Sequence, residues 1–563
     1  MVSAVGNGVS VATPDFDRLD GIYHAALSRR EQRAAVRRQE PEVYIYDGDW
    51  QLVARCFGFY SASFEWKLND VGGGQLVLPY EHHLAKWAIE HWRREKQNIH
   101  VRVDKDGARW TGRLSDLVTE QDENGIRTVT MNFLHDMEEL RHIQVWANPL
   151  TPAAVQFPKQ FILAGPSVYT LKLSLFLNLF RLQGSLWSLP DDPLDPKSWF
   201  QGLNYKEWPI VVKPSSLVLD DSKWTVLVSR FKNWLDMAET TLGDGQLMVE
   251  CRRWFPGDEQ PWFGAGLYRP GQLVIDIVDK SGWFGETAIG GTIAGGFVRS
   301  GLEVADNLVD EARRALQFVD EPEEYAVSGF LGVAPQKPWV SYRTNVRDGQ
   351  NTAESTSFMW APATVGQVTV GGHSTPGVNE AISASIKLAG SLASQYFFIP
   401  DFGGAADTLL APLYEDVFMA FQTVKSPART RKLGWSHYYE NFSTGGDKAY
   451  TLSSLLAIRA EFWRTRQRVS HSMQIGDAAP YLIGEKGKGH FFLGDRVGGE
   501  VPGSRDGYTV VEQVKELKLE WGADEPHEWM ITVGDLSSAD DPVEHSLSRI
   551  REVTGAVHDL GVI

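Results

Sequence analysis

Two cysteines, Cys56 and Cys251, are all that the 563 residues contain. They stand far apart and outside any C-x-x-C spacing, which argues against a disulfide framework and against a thiolate zinc site. Long apolar runs are missing too. None reaches the roughly 18 residues that cross a bilayer as a helix, so no stable membrane span is expected. No series of basic, apolar and small residues opens the chain, and the expectation is a protein that is cytosolic when made and soluble, or held in an assembly.

Catalytic signatures are equally scarce. No H-E-x-x-H pair occurs for a metalloprotease, and the adjacent His82 and His83 would point in different directions on a helix. Residues 484–489, GEKGKG, lack the Walker pattern and a strand-to-helix setting for nucleotide phosphates. No G-x-S-x-G elbow marks a serine hydrolase. Acidic pairs such as Asp540 and Asp541 are too common among 72 acids to imply a glycosidase. The expectation is a chain without cofactor, metal or catalytic residue, and not an enzyme.

What the chain has is size, acid and aromatics. Its length exceeds one core, so several domains are expected, and 43% hydrophobic content suits ordinary globular folding. A formal net charge of -17 argues against a general nucleic-acid or anionic-membrane surface, although a local basic patch stays compatible with it. Twenty tryptophans suit cores, and also the buried centres of protein contacts.

Periodicity divides the chain. Leu19, Ile22, Tyr23, Ala26 and Leu27 fall at helical spacing in residues 1–40, a helical arm whose second half carries Arg29, Arg30, Arg33, Arg37 and Arg38. That cluster reads either as a site for DNA phosphates or an acidic neighbour, or as a solvated or subunit-contacting face. Residues 41–150 hold paired strands around Asp-Gly turns and an Asn124-Gly125 hairpin, with a helix over 82–94. Residues 151–225 form a Pro/Trp-rich connection with Trp187, Trp199, Trp208 and Trp224 as candidate interface anchors, opened by an apolar helix over 171–182. A mixed region over 226–345 begins with a helix over 224–242 that ends at Gly243-Asp244-Gly245. It contains a Gly-rich loop with Gly282, Trp283, Phe284, Gly290, Gly291, Gly295, Gly296 and Phe297. That loop reads as membrane-active or lumen-plugging, or as a mobile or packed surface loop. An amphipathic helix over 302–318 follows. Residues 346–464 are mixed again, with strands up to about Gly372, a helix after Asn379, and helices over 407–422 and 451–463. Residues 465–563 alternate as long strands.

Particular phrases go further. Residues 44–79, YIYDGDWQLVARCFGFYSASFEWKLNDVGGGQLVLP, set an Asp-Gly turn, a strand ending in Trp-Lys-Leu-Asn, and a Gly-rich turn into a strand closing at Leu78-Pro79. Trp435-Ser436-His437-Tyr438 with Glu440, and Ala449-Tyr450-Thr451-Leu452-Ser453-Ser454, stand far downstream. Together these resemble the tail-hub family of long-tailed bacteriophages, in particular the minor tail proteins of phages that infect mycobacteria.

The resemblance implies an α+β, multidomain, phage tail-hub-like fold with strand-rich, barrel-like domains near both ends and helices and long loops between them. It implies a homotrimeric ring in the virion, at the distal end of the tail. Partners would be the distal tail protein, the tape-measure protein and other minor tail or fibre proteins, with transient contact to DNA. The competing readings are a cell-wall-degrading tail-tip enzyme and a glycan- or receptor-binding module.

Overall fold

The computed structural model describes residues 16–282 apart from 185–186, 188, 191, 197–198, 200–201 and 203. It also describes 338–342, 355–371, 421–443, 461, 465, 468–476, 481–500, 510–523 and 526–534. The expected helices over 302–318 and after Asn379 lie outside the described residues. So do those over 407–420 and 451–463, apart from Glu461, and the Gly-rich loop beyond Gly282.

The first strands follow from alternation. In β3 (Ser61–Lys67) and β4 (Gly73–Pro79) every second residue is buried, which sends Phe64, Trp66, Leu76 and Leu78 to one face. Gly74 has no substitute there, because a Cβ would stand 2.7 Å from both the Phe64 and Trp110 rings. The long β6 (Ala108–Gln121) turns back into β7 (Arg127–His135) around Asn124-Gly125, with Gly125 at φ 80° and Asp122 Oδ1 accepting from the amides of Asn124 and Ile126. β1 (Glu42–Tyr46), β2 (Leu52–Cys56) and β5 (His100–Lys105) extend the sheet on the other side. Helix α2 (His83–Ile89) covers it with Leu84, Ala85 and Ala88.

The strand-rich C-terminal part joins this sheet edge to edge. β20 (Val510–Gly522) pairs with β3 from Glu516↔Lys67 to Gly522↔Ser61. Its other edge takes β21 (Glu528–Val533), followed by β18 (Arg468–Gly476) and β14 (Ser355–Ala361). The path reads β14-β18-β21-β20-β3-β4-β7-β6-β5-β1-β2, with β13 (Ser341–Tyr342) and β19 (Arg496–Gly499) attached through β20. One apolar cluster spans both ends, with Trp66 and Trp529 centroids 5.3 Å apart and Phe64 packed edge-on against Trp110 at 4.9 Å.

A second cluster forms the middle layer. Helix α3 (Ser167–Gln183) forms over the expected apolar run, but it buries Leu171, Leu175 and Leu179, one turn apart, rather than the stripe of Leu173, Phe176, Leu177 and Phe180 that helical spacing suggests, of which Phe176 is exposed. It packs on the sheet of β9 (Ile210–Val212), β11 (Leu247–Trp254) and β12 (Gln272–Asp279), ordered β11-β12-β9. The helix expected over 224–242 is corrected. Trp224–Ser229 is strand β10, antiparallel to β8 (Phe161–Pro166), because Thr225, Val226 and Val228 are β-branched and suit a pleated surface. The helix starts only after Asn233, whose side chain accepts from the Asp236 amide, and α4 (Trp234–Gly245) ends at Gln246 in the left-handed region rather than at a glycine.

A third sheet, β16-β15-β17, consists of β15 (Val365–Gly371), β16 (Phe421–Lys425) and β17 (Tyr438–Ser443), with α5 (Pro427–Leu433) beside it. Phe421 and Gln422, expected at a helix end, open β16 instead, and their backbone bonds to β15 are the reason.

Leu519 is fully buried on β20 in the core shared by both ends. Leu519→Ala is expected to cost about 2–5 kcal/mol and to raise amide exchange in β3 and β4 as much as in β20 and β21. Exchange confined to β20 and β21 would mean that the two ends unfold independently.

Candidate functional site

The first sheet and the middle layer meet through buried charge. Arg109, on β6, donates from Nε to Asp104 Oδ1 at 2.8 Å and from Nη1 to Asp258 Oδ2 at 2.5 Å and to the Arg253 carbonyl at 2.9 Å. Arg253, on β11, grips Asp136 with Nη2 to Oδ1 at 2.7 Å and Nε to Oδ2 at 2.9 Å, and the Thr111 hydroxyl donates to the same carboxylate. Burial by itself would raise Asp136, but the Arg253 charge and these bonds outweigh it and hold the carboxyl below its usual range. Trp50 lies between His100, stacked at 4.2 Å, and the Arg253 guanidinium, 4.3 Å from its ring. Burial, and then the Arg253 charge, depress His100 to about 3, and burial takes His135 to about 4.

The loop at residues 484–489 completes the junction from the C-terminal side. Arg252 Nη1 donates to Glu485 Oε2 at 3.0 Å and to the Gly107 carbonyl at 3.1 Å, while the Glu485 amide bonds Asp106 O at 3.2 Å. Gly107, at φ 81°, would put a Cβ 2.4 Å from the Glu485 carbonyl. Gly484 would likewise put a Cβ 2.5 Å from the Asp106 carbonyl, so Gly107 and Gly484 serve a close backbone crossing. A cavity of about 320 Å³ beside the loop is lined by Arg252, Lys280, Glu485, Lys486 and Asp495, and burial pushes Glu485 up to about 7. A second cavity, of about 490 Å³, lies beside Trp50, His100 and Arg253.

Neither thiol is poised for attack: burial pushes Cys56 up to about 12 and raises Cys251 as well. Among the described residues no three His, Cys, Asp or Glu side chains stand together as a metal site. No described helix is long and apolar enough to cross a membrane.

The residues singled out from sequence separate. Arg29 and Arg38 are exposed, whereas Arg37 is half-buried and donates to the Tyr481 carbonyl at 2.7 Å. Arg30 and Arg33 occupy helix positions, but their side chains lie outside the described residues. Trp187, Trp199 and Trp224 are exposed. Trp208 is not a surface anchor: it is 3% exposed, donates to the Gly202 carbonyl at 2.8 Å and packs on Phe176 and Phe180, because the turn before β9 directs it beneath α3. Gly282 has φ 73°, and Trp283, Phe284, Gly290, Gly291, Gly295, Gly296 and Phe297 lie outside the described residues.

Two features escaped the sequence. The ionic junction joins residues more than a hundred positions apart, such as Arg109 and Asp258, which no local pattern signals. An exposed aromatic surface on the third sheet, with Trp435 at 91%, Tyr438 at 73% and Tyr439 at 75% exposure, was present as a Trp-Ser-His-Tyr-Tyr run, but its facing was not.

Charges here are used to lock layers, and large aromatics are left facing outward. That is the chemistry of a protein that works by contact. The model of the Siphovirus ReqiPepy6 Gp37-like protein family matches residues 42–535. Minor tail protein Gp28 of Mycobacterium phage L5 is 34% identical over 590 residues, covering 97% of this chain and 98% of that protein, and Gp28 of Mycobacterium phage D29 matches to the same extent. The chain belongs to the Siphovirus ReqiPepy6 Gp37-like family, and with it to the minor tail proteins of siphophages, structural parts of the virion and not enzymes.

Among solved structures, the tail protein from Neisseria meningitidis MC58 is 9% identical and aligns over 89% of this chain and 98% of its own, with a TM-score of 0.37. Prophage tail protein gp18 from Listeria monocytogenes EGD-e aligns over 92% and 99%, at 9% identity and a TM-score of 0.35.

Asp136→Asn removes the close carboxylate from the buried Arg253 and leaves it only Glu139 at 3.7 Å, and is expected to lower stability by roughly 3–5 kcal/mol in urea titrations. Replacing both, as Asp136→Leu with Arg253→Met, should recover most of that loss.

His100 and His135 stay neutral when folded but take a proton near 6.5 when unfolded. Their contribution is therefore complete above pH 6.5 and is lost as pH falls, by roughly 2 kcal/mol per histidine at about pH 5. His100→Phe keeps the stack on Trp50, and its melting temperature should fall less on acidification than that of the wild type.

Proposed function

We propose that this minor tail protein forms the hub at the distal end of a long non-contractile tail. Three copies close a ring that links the tail tube to tip and fibre proteins and frames the channel for tape measure and DNA. The observation that carries this reading is the pairing of β3 with β20, which fuses the two strand-rich ends into one continuous sheet. A wall around a channel needs such a surface, stiff along its length and free of a hinge between its halves.

In this reading residues 41–150 and 465–563 are the paired barrel-like walls, and the helical arm 1–40 reaches outward. The connection 151–225 and the mixed regions 226–345 and 346–464 meet the distal tail protein and other minor tail proteins, with Trp187, Trp199 and Trp224 among the anchors. The net charge of -17 limits adhesion of passing DNA to transient contact. The chain is made in the host cytoplasm and becomes part of the virion at assembly.

A second reading, a glycan- or receptor-binding tip module, draws on Trp435, Tyr438 and Tyr439, whose exposed rings suit sugar faces.

Gold-conjugated antibody against the purified chain, applied to intact virions, is expected to mark the distal end of each tail. Label spread along the tube, or confined to the head-proximal end, would sink the hub. Adsorption of the isolated chain to host cells would favour the receptor module instead.

A further inference from the structure

The 22-residue helix α1 (Phe16–Arg37) is held to the rest of the chain at its C-terminal end. Lys105 Nζ donates to the Val36 carbonyl at 3.2 Å, the Arg37 guanidinium to the Tyr481 carbonyl at 2.7 Å, and the His527 ring to the Arg37 carbonyl. From Asp20 to Ala26 every residue is exposed, including Ile22 at 57% and Tyr23 at 59%. Ile22 and Ala26, and Tyr23 and Leu27, are i,i+4 pairs that make one apolar stripe. A helix in a protein takes most of its stability from packing of its apolar face, and Gly21 weakens this one, so the stripe calls for a cover.

The arm also concentrates charge. Between Ser28 and Arg38 it carries Arg29, Arg30, Arg33, Arg37 and Arg38 against Glu31 alone, in a chain of net charge -17. Its counterpart is the projecting end of the β6–β7 hairpin. Between Asp116 and Ile126 that hairpin carries Asp116, Glu120, Asp122 and Glu123 with no cation, and it leaves Val118 and Ile126 exposed at 41% and 52%. Lengths agree as well. The arm from Ile22 to Arg38 rises about 24 Å, and the six β6 residues beyond Ser115 run about 20 Å.

Both surfaces are exposed in the same chain, so the arm does not cover its own hairpin. We infer that the α1 arm of one copy lies along the acidic β6–β7 hairpin of the next copy. The exposed Arg29 and Arg38 then face carboxylates of the hairpin while Arg37 stays on the Tyr481 carbonyl, and Ile22 and Tyr23 lie against Val118 and Ile126. A contact between two different patches is head-to-tail, and repeated three times it closes a ring. The inference rests on the hub reading for the number of copies.

The test is the mass of the full chain by light scattering over a concentration series. Arg29→Glu with Arg38→Glu, and separately Glu120→Lys with Glu123→Lys, should each raise the dissociation concentration of the trimer tenfold or more, roughly as like charges across a contact do. Melting of the dissociated chains should stay unchanged, since all four positions are on the surface. The chain bearing all four substitutions restores opposite charges and should regain trimer mass. Wild-type mass in both double variants overturns the arm contact, and failure of the fourfold variant to reassemble overturns the hairpin as its seat. A wild type that stays monomeric at every concentration overturns the inference. If antibody still marks the tail tip in that case, the hub position survives without it.

Discussion

The pairing of β3 with β20 is the contact on which the architecture depends. It brings together strands more than four hundred residues apart, with Ser63 donating to Glu520 at 3.0 Å across the seam. Closing so long a loop costs conformational entropy, but the cost grows only logarithmically with length. Burial of Phe64, Trp66, Leu517, Leu519 and Trp529 in one core offsets it. Everything between the two strands must therefore leave the sheet and return to it.

The middle layer is fixed to that sheet by a different force. Arg109, Arg253, Asp104, Asp136 and Asp258 are mostly buried, and each charge has an opposite partner in hydrogen-bond contact. Such networks add little net stability compared with apolar packing, yet they penalise any shift that unpairs them. The Asp106-Gly107 turn and the loop at residues 484–489 extend the lock to the C-terminal part, so three stretches distant in sequence are tied together. Outside this lock the arm, the acidic hairpin and the aromatic residues of the third sheet are left exposed.

Much of this was legible beforehand. Alternation in residues 61–79 and the Asn124-Gly125 turn give the strands of the first sheet, and the apolar run over 171–182 gives a helix though not the face it buries, since leucines stand on several of its sides. The phrases in residues 44–79, 435–440 and 449–454 already resemble the family to which the chain belongs. Residues 224–229 were misread because the stretch from Trp224 to Leu242 combines strand and helix formers, and the break at Lys232-Asn233 carries neither glycine nor proline. Trp208 was misplaced for a related reason, since aromatic content in a proline-rich stretch does not say which rings turn inward.

The sequence by itself determined most of the local elements and the family, because these depend on residue type and on spacings of a few positions. Only the tertiary structure decided that the two strand-rich ends share one sheet, which arginine meets which aspartate, and which aromatics remain exposed. Each of these is a choice among partners hundreds of residues apart, made by burial and pairing over the whole chain at once, and no short window of residues contains it.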